Sequence, residues 1–272
     1  MRYWHLLFAL AAIFGVGTFA YAPFSADWWL PGGPGTDYMH SVSTFGKKID
    51  SLYVLILIIT GVVFIGTQIA LVWATYKFAD TGTNRVAQYF HGSQRLEVIW
   101  TIIPAAILVF IALYQMGTWS DIKFRTAAPR VQPIAEVTGR QFQWVMRYAG
   151  GDGKLHTSDD VQLVNDLHFV KDRPTLIHLK SGDVQHSFFL PQMRIKQDAV
   201  PGLTIPVWFD ADVSGHYELV CAELCGWGHY KMRGNVTVHD TQAEYDEWMK
   251  TEIRKQNQDQ LASASATGTQ GN

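Results

Sequence analysis

Between Ser51 and Tyr76 the chain carries no charged residue, and between Val98 and Ser120 it again carries none. Each run exceeds the ~20 residues a helix needs to cross the hydrocarbon of a bilayer. A segment in lipid must satisfy its backbone polar groups internally, so the runs predict two transmembrane helices, over 51–77 and 96–120. Buried core helices are the alternative. The short basic loop between the runs, 78–95, favours a hairpin through the membrane instead.

The first 22 residues have two readings. Arg2 precedes an apolar run from Leu6 to Phe19, and Ala20-Tyr21-Ala22 has the small-x-small form of a signal-peptide cleavage site. Pro23 follows directly and disfavours cleavage, so 1–22 is either a signal peptide or an extra transmembrane helix. In both cases 23–50 is expected outside and the loop inside the cell. Lys77, Arg85 and Arg95 give the loop end of the hairpin its positive charge, offset in part by Lys47 and Lys48 on the far side. The chain is therefore expected in a bacterial-type inner membrane, multi-pass, with its C-terminal part external.

From Val131 to Asp240 the pattern changes to short β-rich runs separated by Gly, Pro and Asp. Examples are Thr175–Lys180, Leu203–Phe209, His216–Val220 and Asn235–His239. Several alternate in polarity, as half-buried strands do, and their regular spacing predicts an antiparallel sandwich or barrel. Asp240 or Thr241 then caps a polar helix over 241–255, with acids early and bases late. The Ser-, Ala- and Gln-rich residues 256–272 are expected to be disordered.

Chemistry concentrates in Cys221-Ala-Glu-Leu-Cys225-Gly-Trp-Gly-His229-Tyr-Lys-Met232. Thiolate and thioether are soft donors suited to copper, and imidazole suits it too. One Cys would make a mononuclear site; two thiolates can bridge a pair of copper ions. His229 supplies one imidazole, and His186, opening the apolar run His186-Ser-Phe-Phe-Leu-Pro191, is the best candidate for a second. Met232 and a backbone carbonyl complete the weak positions. A Cys221–Cys225 disulfide would leave His229 and Met232 unexplained, and structural zinc sites rarely use Met.

The spacing C-x-E-x-C-x3-H-x2-M resembles the dicopper (Cu-A) centre of cytochrome c oxidase subunit II. The likeness extends to Leu96-Glu-Val-Ile-Trp-Thr-Ile-Ile-Pro104, similar to that family's second membrane helix, and to Gly139-Arg-Gln-Phe-Gln-Trp144, similar to its aromatic segment. The resemblance implies an α+β membrane protein in which a helical hairpin precedes a cupredoxin-like Greek-key β-sandwich, here 121–240. It implies two copper ions on His186, Cys221, Glu223, Cys225, His229 and Met232, and a Glu223 carboxylate that ligates magnesium at subunit I. It also implies cytochrome c as donor, subunit I and further oxidase subunits as partners, and transfer to haem for reduction of oxygen to water in a proton-pumping complex.

Two family positions are open. Where the family has its donor-facing Trp, this chain has Phe142, so the electron arrives through Phe142, Trp144 or Trp227, or Phe142 and Trp144 are simply sandwich aromatics. Glu97 is either near a proton-path entrance or a flanking carboxylate at the membrane boundary. The external domain carries 13 acidic against 10 basic residues over 131–240, which mildly favours a basic partner such as a c-type cytochrome and gives no sign of nucleic-acid binding. No haem site or oxygen-reducing histidine cluster is recognisable, so oxygen chemistry belongs to the complex. The competing functions are a membrane-anchored copper-binding or delivery protein and the Cu-A subunit of a nitric oxide reductase. A quinol oxidase subunit is disfavoured because those relatives lack the copper ligands found here.

Overall fold

The computed structural model describes residues 3–21, 41–79, 89–123 and 130–268, with side chains undescribed at 5 and 259–268. The chain divides into two compact units, residues 1–40 with 49–120, and 41–48 with 121–272.

The first unit is helical. Helix α1 spans Trp4–Tyr21, α2 Thr44–Lys77 and α3 Gln94–Lys123. Helices α2 and α3 are long and apolar enough to cross a membrane; α1 is apolar but shorter. Small residues let α1 and α2 approach: Ala12 is buried, and a Cβ on Gly61 would lie 3.3 Å from the Phe19 ring. No residue of α3 is fully buried, and most of this apolar helix's side chains are exposed. Pro104 lies inside α3. The expected cleavage site straddles the end of α1, and Ala22 and Pro23 fall outside the described residues.

The second unit is a two-sheet sandwich. The first sheet has strand order β3-β2-β1-β5-β8, made of β1 (Ala135–Arg140), β2 (Gln143–Tyr148), β3 (Val161–Val164), β5 (Thr175–Ser181) and β8 (Ile205–Phe209). The second, β4-β10-β9-β6-β7, contains β4 (Asp166–Val170), β6 (His186–Leu190), β7 (Ile195–Ala199), β9 (Gly215–Cys221) and β10 (Arg233–His239). The sandwich is not wholly antiparallel: β1 pairs with β5, and β10 with β4, in parallel. Greek-key crossings between sheets bring non-sequential strands side by side in the same direction, which no local pattern encodes. Trp144, Tyr148, Phe169, Phe188 and Phe209 fill the core.

Residues 41–48 belong to this unit for specific reasons. The Ser43 hydroxyl accepts the Gly46 N–H and caps α2, while it donates to the Met193 carbonyl at 2.8 Å. Asp210 accepts the Thr44 N–H, Lys47 pairs with Asp212, and Phe45 meets the Trp208 ring edge-on at 4.5 Å. Helix α2 accordingly starts at Thr44, ahead of the expected 51.

Helix α4 (Gln242–Gly268) is longer than the 241–255 expected and continues through 256–268 where disorder was expected, while 269–272 lie outside the described residues. Gln, Ala and Leu after 255 are good helix formers, with no Pro or Gly before Gly268. Thr241 is its cap, accepting the Glu244 N–H at 3.2 Å, and Gln256 ties the helix to Asp160 and Gln162. Beneath it His168 Nδ1 and His239 Nε2 are 2.9 Å apart, with Trp248 stacked on His168 at 3.9 Å.

Burial and the neighbouring His168 hold His239 below the ordinary histidine value. A histidine depressed in the folded state takes up protons more readily when unfolded, so its contribution is intact above about pH 6.5 and lost as pH falls. Amide protection over 245–249 should therefore weaken on acidification, and His239→Phe should remove that dependence. An unchanged exchange profile from neutral to mildly acid pH would contradict this.

Candidate metal centre

His186 opens β6 and Cys221 closes β9, on adjacent strands where Phe188 pairs with Cys221. The other donors lie on the β9–β10 loop. That loop is closed at its neck by the Cys221 N–H, which donates to the Met232 carbonyl at 3.1 Å, and it is steadied by Ala222 N–H on the Ser187 carbonyl. Within it a single 3-10 turn, His229–Lys231, swings His229 and Met232 back toward the cysteines.

The sulfurs of Cys221 and Cys225 are 3.9 Å apart, both buried and unbridged. His186 Nδ1 lies 4.0 Å from Cys221 Sγ; His229 Nδ1 and Met232 Sδ each lie 3.7 Å from Cys225 Sγ. The Glu223 carbonyl is 3.2 Å from Cys221 Sγ, and its side chain is exposed. His186, Cys221 and Cys225 present donor atoms within 4.8 Å of one another. Burial, followed by the Cys221 sulfur, pushes the Cys225 thiol up to about 11, so without a cation this pocket favours thiols. Soft donors gathered this closely fit a thiophilic metal better than they fit each other.

Several supporting residues were not legible in the sequence. Asp183 Oδ1 sits 2.8 Å from His186 Nε2, which assigns that nitrogen the proton and leaves Nδ1 free toward the cysteines. Asp183 also accepts the N–H groups of Gln141 and Val184, and these bonds hold its carboxyl below the usual range against the opposing effect of burial. Gln141 Nε2 donates to the Cys225 carbonyl at 2.6 Å. The only signal was a Ser-Gly-Asp turn three residues before His186.

Gly139, in contrast, sits in the motif, and its reason is now visible. A Cβ there would lie 2.9 Å from His186 Cδ2 and 3.1 Å from Trp144 Cζ3. Gly139→Ala should push the imidazole out of line and lower metal affinity about 10- to 100-fold, read by competition with a chelator. Unchanged affinity would show that the ring has slack.

The aromatic candidates separate. Trp144 is fully buried and its ring lies 6.0 Å from that of His186. Phe142 is half-buried under the loop, where a Cβ on Gly228 would come within 2.5 Å of its ring, and it meets Trp227 edge-on at 5.2 Å. Trp227 is 78% exposed. Glu97 lies far along the chain in the first turn of α3, after Ser93, where a carboxylate also suits the helix dipole.

A two-sheet domain that gathers two thiols, two imidazoles and a thioether at one end, in a chain with two bilayer-length helices, is a cupredoxin-like domain whose donor group could bind a metal. The transmembrane-domain model of cytochrome c oxidase subunit II matches residues 35–117, and the periplasmic-domain model of the same subunit matches 136–238, together more than half of the sequence. The chain belongs to the cytochrome c oxidase subunit II family. Among its relatives, an alternative cytochrome c oxidase subunit 2 of Bradyrhizobium diazoefficiens is 29% identical over 260 residues, covering 88% of each chain. Cytochrome c oxidase subunit 2 of Cereibacter sphaeroides is 28% identical over 246 residues, covering 79% of this chain and 80% of that one. Quinol oxidase subunit 2 of Bacillus subtilis is 29% identical over 197 residues, covering 71% and 58% respectively.

Proposed function

We propose that this chain receives electrons for a haem-copper oxidase, through two copper ions held by His186, Cys221, the Glu223 carbonyl, Cys225, His229 and Met232. The observation that carries this is the pairing of the donors. The two sulfurs lie side by side, and each has its own imidazole and its own weak donor, Glu223 O beside Cys221 and Met232 Sδ beside Cys225. When bound, such a copper pair supplies a one-electron couple shared over both ions.

The residues do the rest. Burial of Cys221, Cys225 and His186 excludes water, and the neck bond from Cys221 to Met232 fixes the loop, so little rearrangement accompanies a change of charge. Asp183 holds the His186 ring in its tautomer. In this reading the external domain faces the periplasm. The Glu223 carboxylate offers one oxygen ligand to magnesium at subunit I, and Glu97 lies near a proton-path entrance. The donor is a c-type cytochrome or a comparable carrier, and oxygen is reduced in subunit I. A quinol oxidase role is disfavoured by the complete ligand set, and no feature of the site favours a delivery protein.

The test is oxygen consumption by the membrane complex assembled with this chain, with and without copper in the medium. Activity that depends on both chain and copper is expected; full activity from copper-free chain would overturn the proposal. Asp183→Asn, which keeps the shape and removes the charge, should weaken copper retention about 10- to 100-fold. Retention equal to the unchanged protein would remove Asp183 from the account.

A further inference from the structure

The loop that carries most of the donors is tied to the domain at few points. Its ends are fixed by the Cys221 N–H on the Met232 carbonyl and by the Ala222 N–H on the Ser187 carbonyl. Between them, residues 223–231 present the Glu223 carbonyl, Cys225 and His229. The backbone bonds of this stretch, His229 N–H to Gly226 O and Lys231 N–H to Gly228 O, stay inside the loop. Among the described residues, one hydrogen bond joins 223–231 to anything outside the loop: Gln141 Nε2 donates to the Cys225 carbonyl at 2.6 Å. A carbonyl only accepts, so the amide must present its nitrogen there.

Gln141 comes from the other sheet. With Phe142 it makes the tight connection between β1 and β2, where Arg140 pairs with Gln143. The loop admits its amide at a glycine: Gly226 has φ +136°, and a Cβ there would lie 2.8 Å from Gln141 Nε2. The backbone N–H of Gln141 donates to Asp183 Oδ2 at 2.7 Å, and Asp183 Oδ1 meets His186 Nε2 at 2.8 Å. The turn that holds Asp183 is fastened to the same hairpin again, by the Gly182 N–H on the Gly139 carbonyl. Gln141 is no ligand, yet it reaches both branches of the donor set. Through Asp183 it holds His186, beside Cys221, and directly it holds Cys225, beside His229 and Met232.

We propose that Gln141 is a positioning residue that couples the two branches, its side chain fixing the Cys225 half of the site and its backbone N–H fixing the His186 half. This rests on the copper reading above. With the side-chain bond removed, residues 223–231 keep only the bonds they make among themselves, and the Cys225 half is free to shift against the His186 half. Equal sharing of one electron needs the halves to be alike. The loss of Gln141 should therefore show first as inequality between the two coppers and only second as weaker retention of both.

The test uses the full chain in detergent. Gln141→Leu removes the side-chain donor and leaves the backbone N–H for Asp183; Gln141→Asn keeps an amide one methylene too short to reach Cys225. In the metal-free chain, amide hydrogen exchange over 223–231 should quicken about fivefold in both variants, as the loss of one hydrogen bond predicts, while 135–139 and 144–148 keep their protection. After copper loading, the electron spin resonance spectrum should lose its equal coupling to two nuclei, and competition with a chelator should show about 10-fold weaker retention. Unchanged loop exchange, or an unchanged spectrum from a looser loop, would overturn the inference. Protection lost evenly over β1 and β2 would overturn it too, because Gln141 would then support the fold and not the site. Failure of the unchanged chain to take up two coppers would instead overturn the reading beneath it, and the metal-free exchange would still decide whether Gln141 holds the loop.

Discussion

Cys221→Ser and Cys225→Ser should each, on the copper reading proposed above, lose the two-copper complement and more than about 100-fold of the oxygen-consuming activity of the assembled complex. Each sulfur has neighbours from both halves of the site, since Cys225 alone approaches Cys221, His229 and Met232 within 4 Å. A serine oxygen is harder, smaller and protonated at neutral pH, so it would be a poor substitute for a thiolate toward copper. The metal-free domain should be little affected, because a serine hydroxyl is close in size to the thiol and can keep the contact that Cys221 Sγ makes with the Glu223 carbonyl at 3.2 Å. Unfolding free energy is expected to shift by about 1 kcal/mol or less. A serine variant that kept two coppers would refute the part proposed for the thiols.

Trp144→Ala is the change expected to cost most in stability. The side chain is fully buried on β2, with its ring 5.7 Å from that of Phe188, and its backbone N–H donates to Asn165 Oδ1 at 2.7 Å. Removing so large a buried ring leaves a cavity worth about 3–5 kcal/mol, measurable by denaturant unfolding of the external domain. His186 loses the wall beside its imidazole in the same change, so copper affinity should fall as well. Trp144→Phe should retain most of both. A stability loss below ~1 kcal/mol for the alanine variant would mean that the core closes over the gap.

The two effects mark what a reader of the sequence could and could not see. The loop ligands were legible because all five, Cys221, Glu223, Cys225, His229 and Met232, fall within twelve residues and their chemistry is unusual. His186 is 35 residues before Cys221, and only the register of β6 beside β9 makes them neighbours. Asp183, Gln141 and the reason for Gly139 depend on that same register and carry no local signature. The membrane helices showed in the absence of charge, but the start of α2 did not, because Ser43, Phe45 and Lys47 take their partners from Met193, Trp208 and Asp212 in the sandwich. The parallel pairings of β1 with β5 and β4 with β10 were hidden for the same reason: strand alternation reports which face is buried, not which neighbour a strand will have. Helix α4 outran its expected end because polar composition was read as disorder where helix propensity was also high.

The measurement that bears most directly on the account is copper stoichiometry together with the electron spin resonance spectrum of the purified full chain. Two coppers per chain with one unpaired electron coupled equally to both nuclei, seen as a seven-line hyperfine pattern, is the predicted result. One copper with a four-line pattern would contradict it, and would leave His186 and Cys221 on one side of the site, or His229 and Met232 on the other, without the role assigned to them.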